Sequence, residues 1–244
     1  MTLFITSSPY IEGAPRAILS NANNFVDRIR LVLPDNPRVV FVCSNPADHE
    51  GTCRFAAETC AAFLEAGIAF SSYQVLTGAT ASRAYAMISH SDLVILGGGH
   101  VPTQNAFFRK IRLRHLLHKY QGTVMGISAG SMNMADVVYV QPEEPGESID
   151  PDYRRFATGL GLTGVNICPH YQKVKDNILD GKRLFEDITY GDSMGNCFFA
   201  LPDNSYFYQD ESCLLLCGQA WRIQNGILEL LTRDGDVLDM SELE

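Results

Sequence analysis

Thr123-Val-Met-Gly-Ile-Ser-Ala-Gly-Ser-Met132 is the stretch on which the reading of this chain turns. Val124, Met125 and Ile127 supply a buried strand, and the small residues after Ser128 open a helix. G-x-S-x-G at such a junction is a nucleophile elbow, a sharp strand-to-helix turn that pushes the serine hydroxyl clear of the sheet. The flanking glycines are needed because the turn brings backbone segments too close for a Cβ. Amides at the start of the helix point at whatever the hydroxyl attacks, so the N–H of Ala129 is placed to receive an oxyanion. The same five-residue pattern also occurs in ordinary turns, so the flanking chain has to support it.

Moving outward from the elbow, strand and helix alternate. Leu3–Thr6 reads as a short strand, and Ala17 to Leu33 has helical spacing with Ile18, Phe25, Ile29 and Val32 on one face. Arg38-Val-Val-Phe-Val-Cys43 is a continuous apolar run of the kind buried on both faces of a parallel sheet. A helix from Asp48 to Ala66, a strand from Phe70 to Leu76, a helix from Ala79 to Ser89 and a strand at Asp92–Leu96 follow. Gly97-Gly-Gly99 closes that strand, and Phe107 to His118 is helical before the elbow strand. Such alternation predicts an α/β fold, a mostly parallel sheet with helices on both sides. Ligands in such sheets bind beyond the C-terminal strand ends, where both glycine-rich turns lie. After the elbow come an acidic loop at Gln141–Glu147, an apolar segment at Leu160–Ile167, a helix from Ile178 to Tyr190, and short strands from Phe198 onward. Pro202-Asp-Asn204 and Gln224-Asn-Gly226 suit hairpin turns. One α/β domain over residues 1–244 is the expectation.

At 244 residues and 46% hydrophobic content, the chain can bury one substantial core. A net charge of −9 and a pI near 5.1 argue against nucleic acid or an anionic membrane as the main partner. Met1–Ile5 reads as a strand rather than a signal peptide, and no apolar run approaches a membrane span. Seven scattered cysteines without a C-x-x-C pair indicate a reduced, cytoplasmic protein.

A serine nucleophile needs a base, an acid to orient that base, and oxyanion donors. His49, His90, His115 and His118 lie in or beside helices with charged neighbours and read as surface residues; His115 and His118 share a face but lack a third metal ligand. His170 differs, because it follows an apolar strand and Cys168-Pro169, 42 residues after Ser128. Between them Asp136, Glu143, Glu144, Glu147, Asp150 and Asp152 offer a carboxylate. The short separation disfavours an ordinary α/β-hydrolase, which places more sheet between serine and histidine.

Gly97-Gly-Gly-His100 after a strand, Gly126-Ile-Ser-Ala-Gly130 and Pro169-His-Tyr171 occur in this order. Together they resemble the motifs of the peptidase E (aspartyl dipeptidase) and cyanophycinase family of serine peptidases, and the resemblance spans essentially the whole chain. It implies a three-layer α/β/α sandwich similar to class I glutamine amidotransferases, with β-hairpin strands at the C-terminus. It also implies Ser128 as nucleophile, His170 as base, and Glu143 as triad acid with Glu144 its near competitor. The amides of Gly99 and Ala129 would be the oxyanion donors. His100, in place of the family's asparagine, and Arg183 would contact substrate, although Arg183 also reads as a solvated helix arginine. Val101–Asn105 reads as a longer turn than the family's, which bears on aspartyl specificity.

The expected activity is hydrolysis of small peptides, including Asp-X dipeptides, without metal or organic cofactor, by a monomer or homodimer. The alternatives are an esterase, amidase or cyanophycinase-type hydrolase on the same fold, or a non-catalytic amidotransferase-like binding protein.

Overall fold

Five strands separated by helical crossovers lie parallel in one sheet: β1 (Thr2–Thr6), β2 (Arg38–Val42), β3 (Ser72–Leu76), β4 (Leu93–Leu96) and β5 (Thr123–Ile127). These come from a computed structural model that describes residues 1–243. The order across the sheet is β3-β2-β4-β5-β1, so the elbow strand is central, between β1 and β4. Beyond β1 the sheet continues antiparallel through Tyr206–Gln209, Leu214–Cys217 and Val237–Asp239, giving eight strands.

Side chains alternate across each strand, and the alternation divides the core into two layers. Leu3, Ile5, Val40, Val42, Val94, Leu96 and Val124 pack with residues of α3 (Ala84–Ser89), α4 (Val101–Lys110) and α5 (Leu113–Leu117). The intervening residues Phe4, Val39, Phe41, Leu93, Ile95, Met125 and Ile127 pack with Phe25 and Ile29 of α1 (Phe25–Val32) and Ala56 and Phe63 of α2 (His49–Glu65). Both faces of the parallel strands are therefore covered, which is why these strands read as unbroken apolar runs. The result is the expected three-layer α/β/α arrangement.

A second sheet of four strands runs in the order Ile227–Thr232, Ala220–Gln224, Cys197–Ala200, Ile167–Cys168. It has its own apolar cluster, in which Tyr139 stacks on Phe198 with ring centroids 4.2 Å apart. Its parallel pair aligns Phe199 with Ile167 and Ala200 with Cys168. That register sets the chain just after Cys168 beside the chain just after Ala200.

Four sequence expectations change. The helix expected from Ala17 begins at Phe25, because Asn23 and Asn24 adopt positive φ. The helix expected at Phe107–His118 starts earlier, at Val101, with a proline in its first turn, and breaks at Arg112, whose φ is 56°. Residues 101–105, read as a long turn, are thus helical. Ile178–Leu179 and Lys182–Arg183 form a hairpin across Asp180-Gly181, both at positive φ, and a π-helix follows at Leu184–Thr189. Asp-Gly is a strong hairpin signal, and here it overrides the helical spacing. Finally, Pro202–Asn204 does not close a hairpin: the strands it joins belong to different sheets. No described helix is long and apolar enough to cross a membrane.

The elbow glycines are fixed by contact. A Cβ on Gly126 would lie 2.6 Å from the Ser131 backbone, and one on Gly130 would collide with the Leu96 carbonyl. Gly130→Ala is therefore expected to cost about 1–3 kcal/mol of stability through overpacking. Urea unfolding checks this against Gly164→Ala, where nothing lies within 4 Å and the change should stay within about 0.5 kcal/mol.

Candidate active site

Ser128 ends β5 with φ 52° and ψ −115°, a conformation in which a side chain is strained at a cost of order 1–3 kcal/mol. Its backbone is over-determined: the Ser128 amide donates to the carbonyls of Thr6 and Ser7, at 3.1 and 2.9 Å. Ser131, one turn on in α6 (Ala129–Met132), donates its hydroxyl to the Thr6 carbonyl at 2.8 Å. The neighbouring strand β1 thus holds the elbow at both ends of its turn. Asn133, fully buried behind α6, donates to the carbonyl of Ala129 and to the side chain of Gln104. Gln104 in turn donates to the Gly97 carbonyl at 2.7 Å, linking the elbow to the glycine turn after β4.

The Ser128 Oγ lies 2.9 Å from His170 Nε2. His170 also has positive φ, 58°, at the start of a short helix, Tyr171–Val174. Its other ring nitrogen, Nδ1, is 2.7 Å from Oδ1 of Asp203. The second Asp203 oxygen accepts from Lys173 Nζ at 2.6 Å. The Asp203 side chain is only 3% exposed, and burial alone would raise its pKa. The hydrogen bonds from His170 and Lys173, with the charge of Lys173, prevail and hold the carboxyl well below the usual carboxylate range. An ionised carboxylate can only accept, so Nδ1 carries the proton and Nε2 accepts from the Ser128 hydroxyl.

This geometry corrects the assignment of the acid. Glu143 does not meet the histidine ring; Asp203, read from the sequence as turn chemistry, does. The parallel register of Cys197–Ala200 with Ile167–Cys168 brings it there, reinforced by hydrogen bonds from the Leu201 amide to the Cys168 carbonyl and from the Tyr171 amide to the Leu201 carbonyl. Ser7 ties the assembly to the main sheet: its hydroxyl accepts from the His170 amide at 2.7 Å and donates to Asp203 at 3.1 Å. Only a polar Ser-Ser-Pro after the first strand marked it in the sequence.

Ser128, His170, Gly99 and Ala129 line one cleft of about 130 Å³. Gly99 has φ 151° and packs so closely on Ser44 that a Cβ would clash with that side chain. The Ala129 amide lies in the first turn of α6, where no intrahelical acceptor exists. The two expected oxyanion donors are thus both at the serine. The remaining wall is mainly apolar, with Val101, Met132, Pro142, Ile178, Leu179 and Leu184.

Glu143 also lines this cleft. Loss of hydration pushes its carboxyl pKa up, the nearby His100 opposes this, and the carboxylates of Glu147 and Glu144 add to it. His100 does not line the cleft; its ring bridges Thr103 Oγ1 at 2.7 Å and Glu147 Oε1 at 2.9 Å. The other Glu147 oxygen accepts from the amides of Glu143 and Glu144, at 2.9 and 3.0 Å. His100 therefore shapes the loop that carries Glu143. His100, Glu144 and Glu147 bring three ligand-type atoms within 4.8 Å of one another. Within this cluster the Glu147 carboxylate is engaged by the His100 ring and by the amides of Glu143 and Glu144. Arg183 is exposed, and its guanidinium grips Asp187 at 2.6 and 3.1 Å, holding that carboxyl down at about 2. It is not among the residues lining the cleft, and it follows the Asp180-Gly181 hairpin turn to pair with Asp187.

No curated protein sequence matches the chain. Its structure is similar to the crystal structure of a candidate peptidase E protein from Listeria monocytogenes EGD-e, at a TM-score of 0.60 and 14% identity, covering 95% of this chain and 98% of that one. At that identity the likeness shows the fold. The family model of peptidase family S51 matches residues 4–208, nearly the whole segment from the first strand through the strand that follows Asp203. The chain therefore belongs to peptidase family S51 and is a serine-type peptidase.

Proposed function

We propose that the chain hydrolyses short peptides through a Ser128–His170–Asp203 triad. The observation that carries this is the continuous line from the serine hydroxyl through both imidazole nitrogens to a buried carboxylate, at 2.9 and 2.7 Å. His170 takes the serine proton as Oγ attacks the scissile carbonyl, and Nε2 then returns that proton to the leaving amine. Asp203 fixes the productive tautomer and stabilises the imidazolium that forms in between. The amides of Gly99 and Ala129 receive the oxyanion, each contributing roughly 10²–10³ in rate. Acylated Ser128 is then cleared by water activated at the same nitrogen. No step calls on a metal or an organic cofactor.

The substrate reading follows from the cleft. Its volume suits one or two residues rather than a long chain. Its one non-triad charge is the carboxylate of Glu143, which suits the free amino terminus of a short peptide. An Asp-X preference, expected from the resemblance, would call for a cation facing the acidic side chain, and the lining offers none beyond His170. We therefore favour short peptides with a neutral or apolar residue before the scissile bond. The seven unpaired cysteines favour a reducing compartment such as the cytoplasm.

Ser128→Ala is expected to abolish hydrolysis and acylation by a serine-directed phosphonate, with an unchanged circular dichroism spectrum; retained turnover would remove Ser128 from the mechanism. Asp203→Asn should lower kcat by about 10⁴ through the wrong tautomer, whereas Glu143→Gln should leave kcat within severalfold and raise KM for peptides with a free amine. Equal losses of kcat in both would contradict this division of roles. Because the Glu143 pKa is raised, the wild-type KM for such peptides should climb as pH falls, starting above the ordinary carboxylate range, and Glu143→Gln should flatten that rise.

Asp203 also makes stability pH-dependent. Its folded pKa is depressed, so its contribution is fully present above the unfolded carboxylate value near 3.9 and is lost as pH falls through the folded value. The stability gap between wild type and Asp203→Asn should shrink as pH falls below about 4, as urea titrations in the acid range would show.

A further inference from the structure

A second cavity, of about 460 Å³, opens between α4, α5 and the segment Thr158–Leu160, and shares no lining residue with the catalytic cleft. Arg109, Arg112, Arg114, His115 and His118 line it, and no carboxylate does. The chain as a whole has 28 acidic residues against 19 lysines and arginines, so three arginines around one hollow stand against the global charge. Arg114 is held in place, donating to the Gly159 carbonyl at 3.0 Å and to Asp136 at 2.7 Å. Among the described residues, the exposed guanidinium groups of Arg109 and Arg112, which flank the corner between the two helices, have neither an ion pair nor a hydrogen bond.

Ordinary helix electrostatics accounts for only part of this. Arg109, in the last turn of α4, complements the negative end of that helix. Arg112 stands just ahead of α5 as its N-cap, where a cation is not favoured, whereas Arg114 and His115 fall in the last turn of that five-residue helix. The corner itself is costly, since Arg112 occupies the left-handed region without being glycine or asparagine. That conformation turns the first turn of α5 toward the same hollow as the last turn of α4. The floor is apolar, with buried Phe108 and Leu160.

We propose that this cavity is an anion site for a ligand bearing a diphosphate. Guanidinium forks match phosphate oxygens in bidentate geometry, and two of the forks here are unengaged. The volume lies within the range of small-ligand sites and leaves room beyond the phosphates for a group that rests on Phe108 and Leu160. The diphosphate could belong to a free inorganic polyanion or to a nucleotide, and the two differ in whether that floor is used.

Calorimetric titration of the full-length protein with inorganic pyrophosphate and, separately, with adenosine 5′-diphosphate tests this, in magnesium-free buffer at about 50 mM salt. Saturable one-to-one binding of either is expected, weakening as salt rises. Tighter binding of the nucleotide would assign the floor to a base or ribose, and equal binding would assign the site to free polyanions. The double variant Arg109→Ala/Arg112→Ala should weaken binding by about tenfold to a hundredfold while leaving Ser128-dependent hydrolysis and the circular dichroism spectrum unchanged. Absence of saturable binding up to millimolar ligand, or binding that the double variant does not weaken, overturns the proposal. A dimer that the same variant dissociates, without anion binding by the wild type, would also overturn it and make this face a contact between copies of the chain.

Discussion

A carboxylate buried to 3% exposure has to be paid for by partners, and at Asp203 those partners organise the catalytic half of the molecule. His170, Lys173 and Ser7 converge on its two oxygens from two parts of the chain. Two of them lie on the segment that follows Ile167–Cys168, and the third ends the first strand. The ion pair with Lys173 would be of little consequence at an exposed site. Here it offsets the desolvation of the carboxylate and leaves the other oxygen free to orient an imidazole. Removing Lys173 would leave the buried carboxylate without a countercharge, which is far more costly than the pair itself is stabilising.

The site is assembled from two sheets with different jobs. The large parallel sheet delivers the serine, on a strand clamped between β1 and β4, and the backbone of β1 pins the strained turn through Thr6 and Ser7. The small sheet delivers the base and the acid together, because one parallel register governs both. Ser7 is the joint between them: its carbonyl receives the elbow amide and its hydroxyl receives the histidine amide. This division explains how a strained nucleophile and a buried charge coexist, since each is stabilised by a separate packed cluster. The loop bearing Glu143 is a third layer, shaped by the His100–Glu147 contact rather than by either sheet.

Charge is also partitioned. The catalytic cleft carries the carboxylate of Glu143, whereas the charged residues lining the hollow beside α4 and α5 are arginines. The buried amides of Asn105 and Asn133 lie between them, hydrogen-bonded at 2.9 Å. Asn105 lines the cationic hollow, and Asn133 supports the elbow helix. The acidic net charge of the chain conceals both features.

The first five strands and their parallel direction, the elbow and the choice of Ser128 and His170 as candidates were legible in the sequence, because each rests on local signals. Buried parallel strands are continuous apolar runs, and an elbow needs small residues at fixed offsets around its serine. Helix limits were less legible where local turn chemistry competed with apolar spacing, as at Asn23-Asn24, Arg112 and Asp180-Gly181. The triad acid was not legible at all. Asp203 sits in a Pro-Asp-Asn segment that any turn could contain, and nothing near it in the chain marks a catalytic role. Only the pairing of two strands whose partner residues are 32 apart, Ile167 with Phe199, places that carboxylate against the imidazole. The same holds for Glu143, whose role changes from histidine partner to cleft wall, and for Arg183, which a two-residue turn commits to Asp187. Local sequence determined where the nucleophile stands, because the elbow is a short-range backbone constraint. Tertiary structure decided what completes it, because a buried charge takes its meaning from partners that are distant in the chain.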